Sequence, residues 1–459
     1  MKRRTFCLIA VFVLLSAVPA LAEDFIFRDN HGLKGLQDTC KRLGCEVKKS
    51  LDGDSDRLFL VKTPRTNDAK AFMDLLVTVE GGSYEPNLPF NVGEPYAIAG
   101  QPPAALLDHL EMPYFNTTVW HGYVTQPPAG RISLSAAQDI VIEQTTREAG
   151  NGIVAVIDTG IDPNHPAFNG LLVTGYDFIR NQLGWGSETS DLDVDQSTMA
   201  VLDNAGPVRV NQSTMAVLDE NLRSKLLGQP MDISAFGHGT MVAGIVHLAA
   251  PTAKIMSLKV FQANGTGYLS DVIRAINWAV AHKADVINMS FSYPEYSNEL
   301  MKAVSSANRK GVICVAAAGN RGNATLVYPA ALQKQVMGVA STTMDTDPSL
   351  DDKLSTFSNR GAALVWVGAP GEGIVTPYPF GTYAAGWGTS FSTPFVSGTA
   401  ALLRSVDDSL DQSQAAEAIG SSAIPVYPEM GHGRLDVSVA VQAWLAASSG
   451  ATPSNRKNH

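Results

Sequence analysis

Ser390, His238 and Asp158 have the types and settings that nucleophilic acyl transfer requires. A serine hydroxyl is a weak nucleophile near neutral pH until a base takes its proton, and a neutral imidazole suits that task. A carboxylate beside the imidazole fixes its tautomer and stabilises the imidazolium as it forms. Ser390 lies in Gly386-Trp387-Gly388-Thr389-Ser390-Phe391-Ser392-Thr393-Pro394, just ahead of Phe395–Leu403, a small and apolar run that reads as a buried helix. That spacing puts Ser390 in the helix's first turn, where unpaired N–H groups and the positive end of the dipole favour an oxyanion. Pro394 is assigned to the same turn, which can spare an N–H. By itself, Gly-Thr-Ser reads equally well as an ordinary helix cap.

Other stretches carry the remaining groups. Ile153-Val154-Ala155-Val156-Ile157-Asp158-Thr159-Gly160 is a β-branched run that predicts a buried parallel strand with Asp158 at its carboxyl end, where sites in open α/β sheets lie. Phe236-Gly237-His238-Gly239-Thr240-Met241-Val242-Ala243-Gly244 sets a glycine-flanked histidine at the start of an apolar helix. Val312–Ala318, followed by Gly319-Asn320, predicts a further buried strand ending at an asparagine. In type and chain order these segments resemble the Asp, His and Ser signatures of the subtilisin-like serine proteases. The resemblance implies that Ser390 is the nucleophile, His238 the general base, Asp158 the group that orients it, and Asn320 a donor to the oxyanion.

The same resemblance implies a substrate site. Ser290-Phe291-Ser292 and the stretch ending at Gly319 should wall the pocket for the side chain before the scissile bond. Arg321 should lie at its rim and Val327 at its base. Thr266, Gly267 and Leu269 should belong to an edge to which the substrate backbone adds as a strand. A β-branched floor leaves a shallow pocket, and a rim cation favours acidic side chains only weakly.

Rival chemistries fit less well. Asp158-Thr159-Gly160 is also the aspartic-protease triplet, but that mechanism pairs two carboxylates and no second Asp-Thr-Gly or Asp-Ser-Gly occurs. Gly388-Thr389-Ser390-Phe391-Ser392 lacks the final glycine of the α/β-hydrolase elbow. A binding module that kept the fold would be marked by a lost triad or oxyanion residue, and all are present.

These groups must be brought together by the fold. From Ile153 onward strands and helices alternate, which predicts an α/β domain with a doubly wound, mostly parallel sheet over residues 121–446. Residues 23–92 read as β-α-β-β-α-β, a small ferredoxin-like α+β domain resembling the propeptide of the same family. That resemblance implies an intramolecular chaperone and inhibitor whose tail near Glu85–Phe90 reaches the cleft until cut. Residues 93–120 read as a Pro- and Gly-rich linker or wrapping extension, and 447–459 as a disordered tail.

Within about 180–230 the octapeptide Gln196–Asp203 recurs unchanged at Gln212–Asp219, which reads as a duplication inside a surface insertion near the cleft. Residues 1–22, with Lys2-Arg3-Arg4, an apolar run and Ala20-Leu21-Ala22, form a secretory signal, so the expected location is extracytoplasmic with no membrane contact after cleavage.

Composition is compatible with these expectations. The chain has 459 residues, is 45% hydrophobic and carries a formal charge of −10, which argues against a nucleic-acid surface. Polypeptides are the expected substrates. Cys40 and Cys45 are near enough for a local bridge, although spacing alone does not pair them, and Cys314 reads as a buried hydrophobe. No cofactor is assigned. Calcium binds many members of the resembled family in a loop after the His helix, but here Ala249–Ala253 leads straight to the next strand, so no metal residues are named.

Overall fold

The computed structural model describes residues 21–53, 57–92, 97, 99–145, 147–192, 206–229, 231–343, 352–426 and 429–450. The signal segment up to residue 20 and the first octapeptide copy lie outside them. The chain divides into two compact units, Met1–Asn87 and Leu88–His459.

The smaller unit runs β1 (Asp24–Arg28), α1 (Leu33–Leu43), β2 (Glu46–Ser50), β3 (Leu58–Lys62), α2 (Ala69–Glu80) and β4 (Ser83–Pro86). Its antiparallel sheet has the order β2-β3-β1-β4. Phe25, Phe27, Phe59 and Val61 alternate onto one sheet face and meet Leu36 and Cys40 of α1 and Met73 and Leu76 of α2. Asp68 caps α2 by accepting from Ala71 N at 2.8 Å. The helix continues to Glu80, because no breaker intervenes before Gly81. Gly44, in the left-handed region, ends α1 and returns the chain so that Cys45 is bonded to Cys40.

In the larger unit, β5 (Pro89–Asn91) is followed by the hairpin β6 (Glu111–Tyr114) and β7 (Thr117–Trp120) and by helices α3 (His121–Thr125), α4 (Pro127–Arg131) and α5 (Leu134–Thr145). The expected linker over 93–120 is thus partly structural. Leu106, Tyr114, Val119 and Trp120 are buried in the main core, and that apolar burial outweighs the local proline content.

The main sheet contains β8 (Ile153–Asp158), β9 (Leu172–Asp177), β10 (Gln182–Leu183), β13 (Lys254–Lys259), β15 (Val286–Met289), β16 (Ile313–Ala317), β17 (Met337–Thr343), β18 (Lys353–Leu354) and β19 (Val367–Pro370). Its order is β10-β9-β13-β8-β15-β16-β17-β18, with β19 also on β17. Ladders from β9 to β17 and on to β19 are parallel, as the β-branched runs buried on both faces require.

The intervening elements are β11 (Gly206–Arg209), β12 (Thr214–Leu218), α6 (Glu220–Leu227), α7 (His238–Ala249), β14 (Thr266–Tyr268), α8 (Leu269–Ala281) and α9 (Asn298–Arg309). The chain closes with β20 (Ile374–Tyr378), β21 (Thr382–Gly386), α10 (Thr389–Val406), α11 (Gln412–Ser421) and α12 (Val437–Gly450). The chain enters β13 on one side of β8 and returns at β15 on the other, so the winding reverses at β8. That reversal opens a crevice at the carboxyl end of β8. Ala447–Gly450, expected to belong to a disordered tail, continue α12.

The second octapeptide copy is not a surface feature. Thr214–Leu218 are all buried and lie antiparallel between β11 and β21. Trp387 N donates to Ser213 O at 2.9 Å, so this strand flanks the chain leading to Ser390.

α7 and α10 pack against each other at Gly398, where an added Cβ would overlap Ala249. Gly398→Ala should therefore cost about 1–3 kcal/mol from overpacking. Denaturant unfolding on a Ser390→Ala background checks this, and unchanged stability would show that the two helices can separate freely.

Candidate active site

The reversal of winding at β8 brings three chain ends together. Asp158 ends β8 and is fully buried, His238 opens α7, and Ser390 is the second residue of α10. Gly237, at φ 85° before His238, turns the chain into α7; a Cβ on Gly239 would overlap the Gly160 carbonyl, so the histidine helix lies directly against the Asp158 turn.

Asp158 and His238 are joined by a 2.8 Å hydrogen bond between Oδ1 and Nδ1. Thr159 N donates to the same oxygen at 2.7 Å, and Asp158 Oδ2 is buried with no hydrogen-bond partner among the described residues. The His238 ring sits 5.6 Å from that of Phe391. Burial disfavours the imidazolium, but the charge and hydrogen bond of Asp158, with the charge of Glu188, outweigh it and raise the His238 pKa above its ordinary value.

Ser390 Oγ donates to the Ser290 carbonyl at 3.0 Å and makes no hydrogen bond to His238 here. In return, Ser290 Oγ donates to the Ser390 carbonyl at 2.8 Å. Pro394 accounts for this second bond. It lies one turn deeper in α10 than its sequence placement, at the position whose N–H would have bonded Ser390 O. Ser290 Oγ supplies the missing donor and itself accepts from Asn288 Nδ2 at 3.0 Å. Asn288 Oδ1 accepts from Ser397 Oγ at 2.8 Å, so a polar chain ties β15 to α10 along about two turns.

Asn320 follows β16, and its Oδ1 accepts from Thr389 N at 2.8 Å and Thr389 Oγ1 at 3.0 Å. With the oxygen committed, the amide presents Nδ2 beside Gly388, immediately ahead of Ser390.

The residues expected to bind substrate lie on several elements. Thr266 and Gly267 lie in β14, and Leu269 begins α8. Phe291 is buried, Ser292 is nearly so, and Val327 is 3% exposed. Gly319 N donates to Thr389 Oγ1 at 3.2 Å. Arg321 has an exposed side chain, with its backbone N–H held by Asn359 Oδ1 at 2.9 Å.

The β14 edge is paired with β5 of the same unit. Asn91, Phe90 and Pro89 lie antiparallel to Thr266, Gly267 and Tyr268, and Val92 N donates to Gly265 O at 2.9 Å. The Phe90 ring lies 5.2 Å from Phe261, 5.7 Å from Phe291 and 5.1 Å from Tyr293.

Sequence reasoning passed over Glu188, a buried carboxylate that contacts both the Asp158 turn and the His238 helix. It lies in a segment without periodicity between two motifs. No sequence signal marked it, because Thr159 and Thr240 are 29 and 52 residues away along the chain.

Comparison with known proteins gives a consistent family. The model of the subtilase family matches residues 150–454. A thermophilic serine proteinase of Bacillus sp. (strain AK1) is 32% identical over 300 residues, spanning 63% of this chain and 59% of that protein. Thermitase of Thermoactinomyces vulgaris is 33% identical over 273 residues, covering 59% of this chain and 80% of its own length. Subtilisin DY of Bacillus licheniformis is 34% identical over 230 residues, or 47% of this chain and 81% of the subtilisin. Among solved structures, fervidolysin from Fervidobacterium pennivorans, a keratinolytic enzyme related to subtilisin, superposes with a TM-score of 0.66 at 20% identity. That match covers 93% of this chain and 62% of fervidolysin, and it establishes the fold alone. The chain belongs to the subtilase family.

Proposed function

We propose that this protein is an exported serine endopeptidase that cuts polypeptides through Asp158, His238 and Ser390 and is made as a self-processed precursor. The carrying observation is the 2.8 Å Asp158–His238 pair at the carboxyl end of β8, with the His238 ring 5.6 Å from that of Phe391, the residue after Ser390 at the start of α10. Rotation about the Ser390 Cα–Cβ bond takes Oγ from the Ser290 carbonyl to His238 Nε2. His238 accepts the hydroxyl proton as Oγ attacks the scissile carbonyl, while Asp158 holds Nδ1–H and stabilises the imidazolium. The developing oxyanion is met by Asn320 Nδ2 and the Ser390 N–H. His238 then protonates the leaving amine, and water releases the acyl group by the same steps in reverse.

Several observations support the precursor reading. Pro89–Val92 occupies the β14 edge in the extended form that a substrate strand would take, which supports reading this segment as the chain's own inhibitor. A folded α+β unit precedes it, as a chaperone-like propeptide would. Export is supported by the Cys40–Cys45 bridge, which belongs in an oxidising compartment, and by the basic and apolar N-terminal segment. No described helix is long and apolar enough to cross a membrane.

The pocket before the scissile bond is read as shallow because Val327 forms its base, with Arg321 an exposed cation at the rim. Small and medium side chains are preferred there, with acidic ones tolerated. Hydrolysis of a peptide series varied at that position is expected to fall for Phe and Tyr. Equal cutting after aromatics rules out the shallow floor, and an unchanged Glu-to-Gln ratio in Arg321→Ala rules out the role of the charge.

Ser390→Ala should abolish hydrolysis of a generic protein substrate and accumulate as the unprocessed exported chain. Normal maturation of the purified variant would refute self-processing, and retained hydrolysis would refute the nucleophile.

The neutral imidazole is the active form, so kcat/KM should fall as acid protonates His238. Because its pKa is raised, the midpoint of that acid limb should lie above the ordinary value of about 6.5. A profile flat through that region counts against His238 as the base.

A further inference from the structure

Glu188 is 1% exposed, and no step of the proposed reaction uses it. Its Oε1 accepts from Thr159 Oγ1, the residue after Asp158, and from Gly239 N at 3.3 Å. Its Oε2 accepts from Thr240 N at 3.2 Å and from Thr240 Oγ1. Gly239 and Thr240 are the second and third residues of α7, which His238 begins. One carboxylate therefore bridges the two segments that carry the Asp158–His238 pair.

The partners indicate its charge state. Thr240 Oγ1 already accepts from Asp162 N at 2.8 Å, so its proton is directed at Glu188. Thr159 Oγ1 accepts from Gly239 N at 2.8 Å and lies 3.2 Å from Asp158 Oδ1. The single Thr159 proton thus stands between Asp158 and Glu188. Donors on both oxygens match an ionised carboxylate. Burial, with the charge of Asp158, pushes the Glu188 pKa up and outweighs the hydroxyls of Thr159 and Thr240 and the charge of Lys259, which favour the ionised form.

Other charged and titratable groups face this center. Asp158 on β8 adjoins Glu188 through Thr159, and Tyr378 on β20 is close enough to feel its charge. Lys259 on β13 is fully buried, but its ammonium is engaged by Asp191 Oδ2 at 2.7 Å, Phe261 O at 2.9 Å and Thr159 O. Asp191 also pairs with Arg180. An imidazolium at a helix N-terminus is opposed by the helix dipole, and an anion on the first-turn N–H groups offsets that opposition.

We infer that Glu188 is a positioning residue: its carboxylate clamps the Asp158 turn to the helix beginning at His238 and supplies a second negative charge to the imidazolium formed during catalysis. This rests on the Asp158–His238–Ser390 reading. The test is the pH dependence of kcat and KM for Glu188→Gln and Glu188→Asp in the active enzyme with a small peptide substrate. Glu188→Gln keeps the size and removes the charge, so the acid limb should move down by roughly half a unit or more. Its kcat should fall roughly tenfold or more with KM little changed.

Glu188→Asp keeps the charge but shortens the clamp, so kcat should fall while the acid limb stays. An unmoved acid limb in Glu188→Gln, with lower thermal stability as the sole change, overturns the inference. If the Gln variant does not fold, Glu188→Asp decides alone, and an acid limb moved down by half a unit or more overturns the inference. Failure of the underlying reading looks different, because Ser390→Ala would then retain hydrolysis.

Discussion

The backbone contact between α7 and α10 is the constraint on which the site depends. Both helices are buried along nearly their whole length and meet where Gly398 leaves no side chain between them and Ala249. Helix axes held at that separation fix the distance between their N-terminal ends, where His238 and Ser390 lie. Protein interiors are close-packed, so this spacing has little freedom to drift. Asp158 is referred to the same frame because β8 runs through the middle of the sheet beneath α7.

Charge is the second organising element, and it is buried to an unusual degree. Asp158, Glu188 and Lys259 are each at most 1% exposed. Isolated charges at such depth are strongly disfavoured, and here each is compensated locally. Lys259 is enclosed by Asp191 and two carbonyls, Glu188 by hydroxyls and helix amides, and Asp158 by Thr159 and His238. Removing one partner would leave the others uncompensated, so these residues behave as one unit. The arrangement also lets two carboxylates act on a single imidazole without either being exposed to water.

The fold was legible where local pattern and tertiary role agree. β8 and β16 are short apolar runs in both sequence and structure, and α7 and α10 begin where their motifs indicated. Asp158, His238, Ser390 and Asn320 were readable because each sits at the end of such an element. Segments whose structure comes from distant partners were harder to read. Thr214–Leu218 looks like a repeated surface stretch until β21 is alongside it, and residues 106–120 look like a linker until their aromatic side chains are seen in the core. Pro394 was placed by a local rule, but its tolerance depends on Ser290, far away in sequence. Glu188 was invisible for the same reason, since its partners are defined only after folding.

The exchange of hydrogen bonds between Ser290 and Ser390 has a mechanical meaning. Because Pro394 withholds an N–H, the peptide carrying the nucleophile is anchored to the strand end that continues into Phe291 and Ser292. The wall expected to hold a substrate and the hydroxyl proposed to attack it are consequently tied to each other by reciprocal hydrogen bonds. On the proposed mechanism, binding energy gained along that wall would then act on the alignment of the reacting atoms.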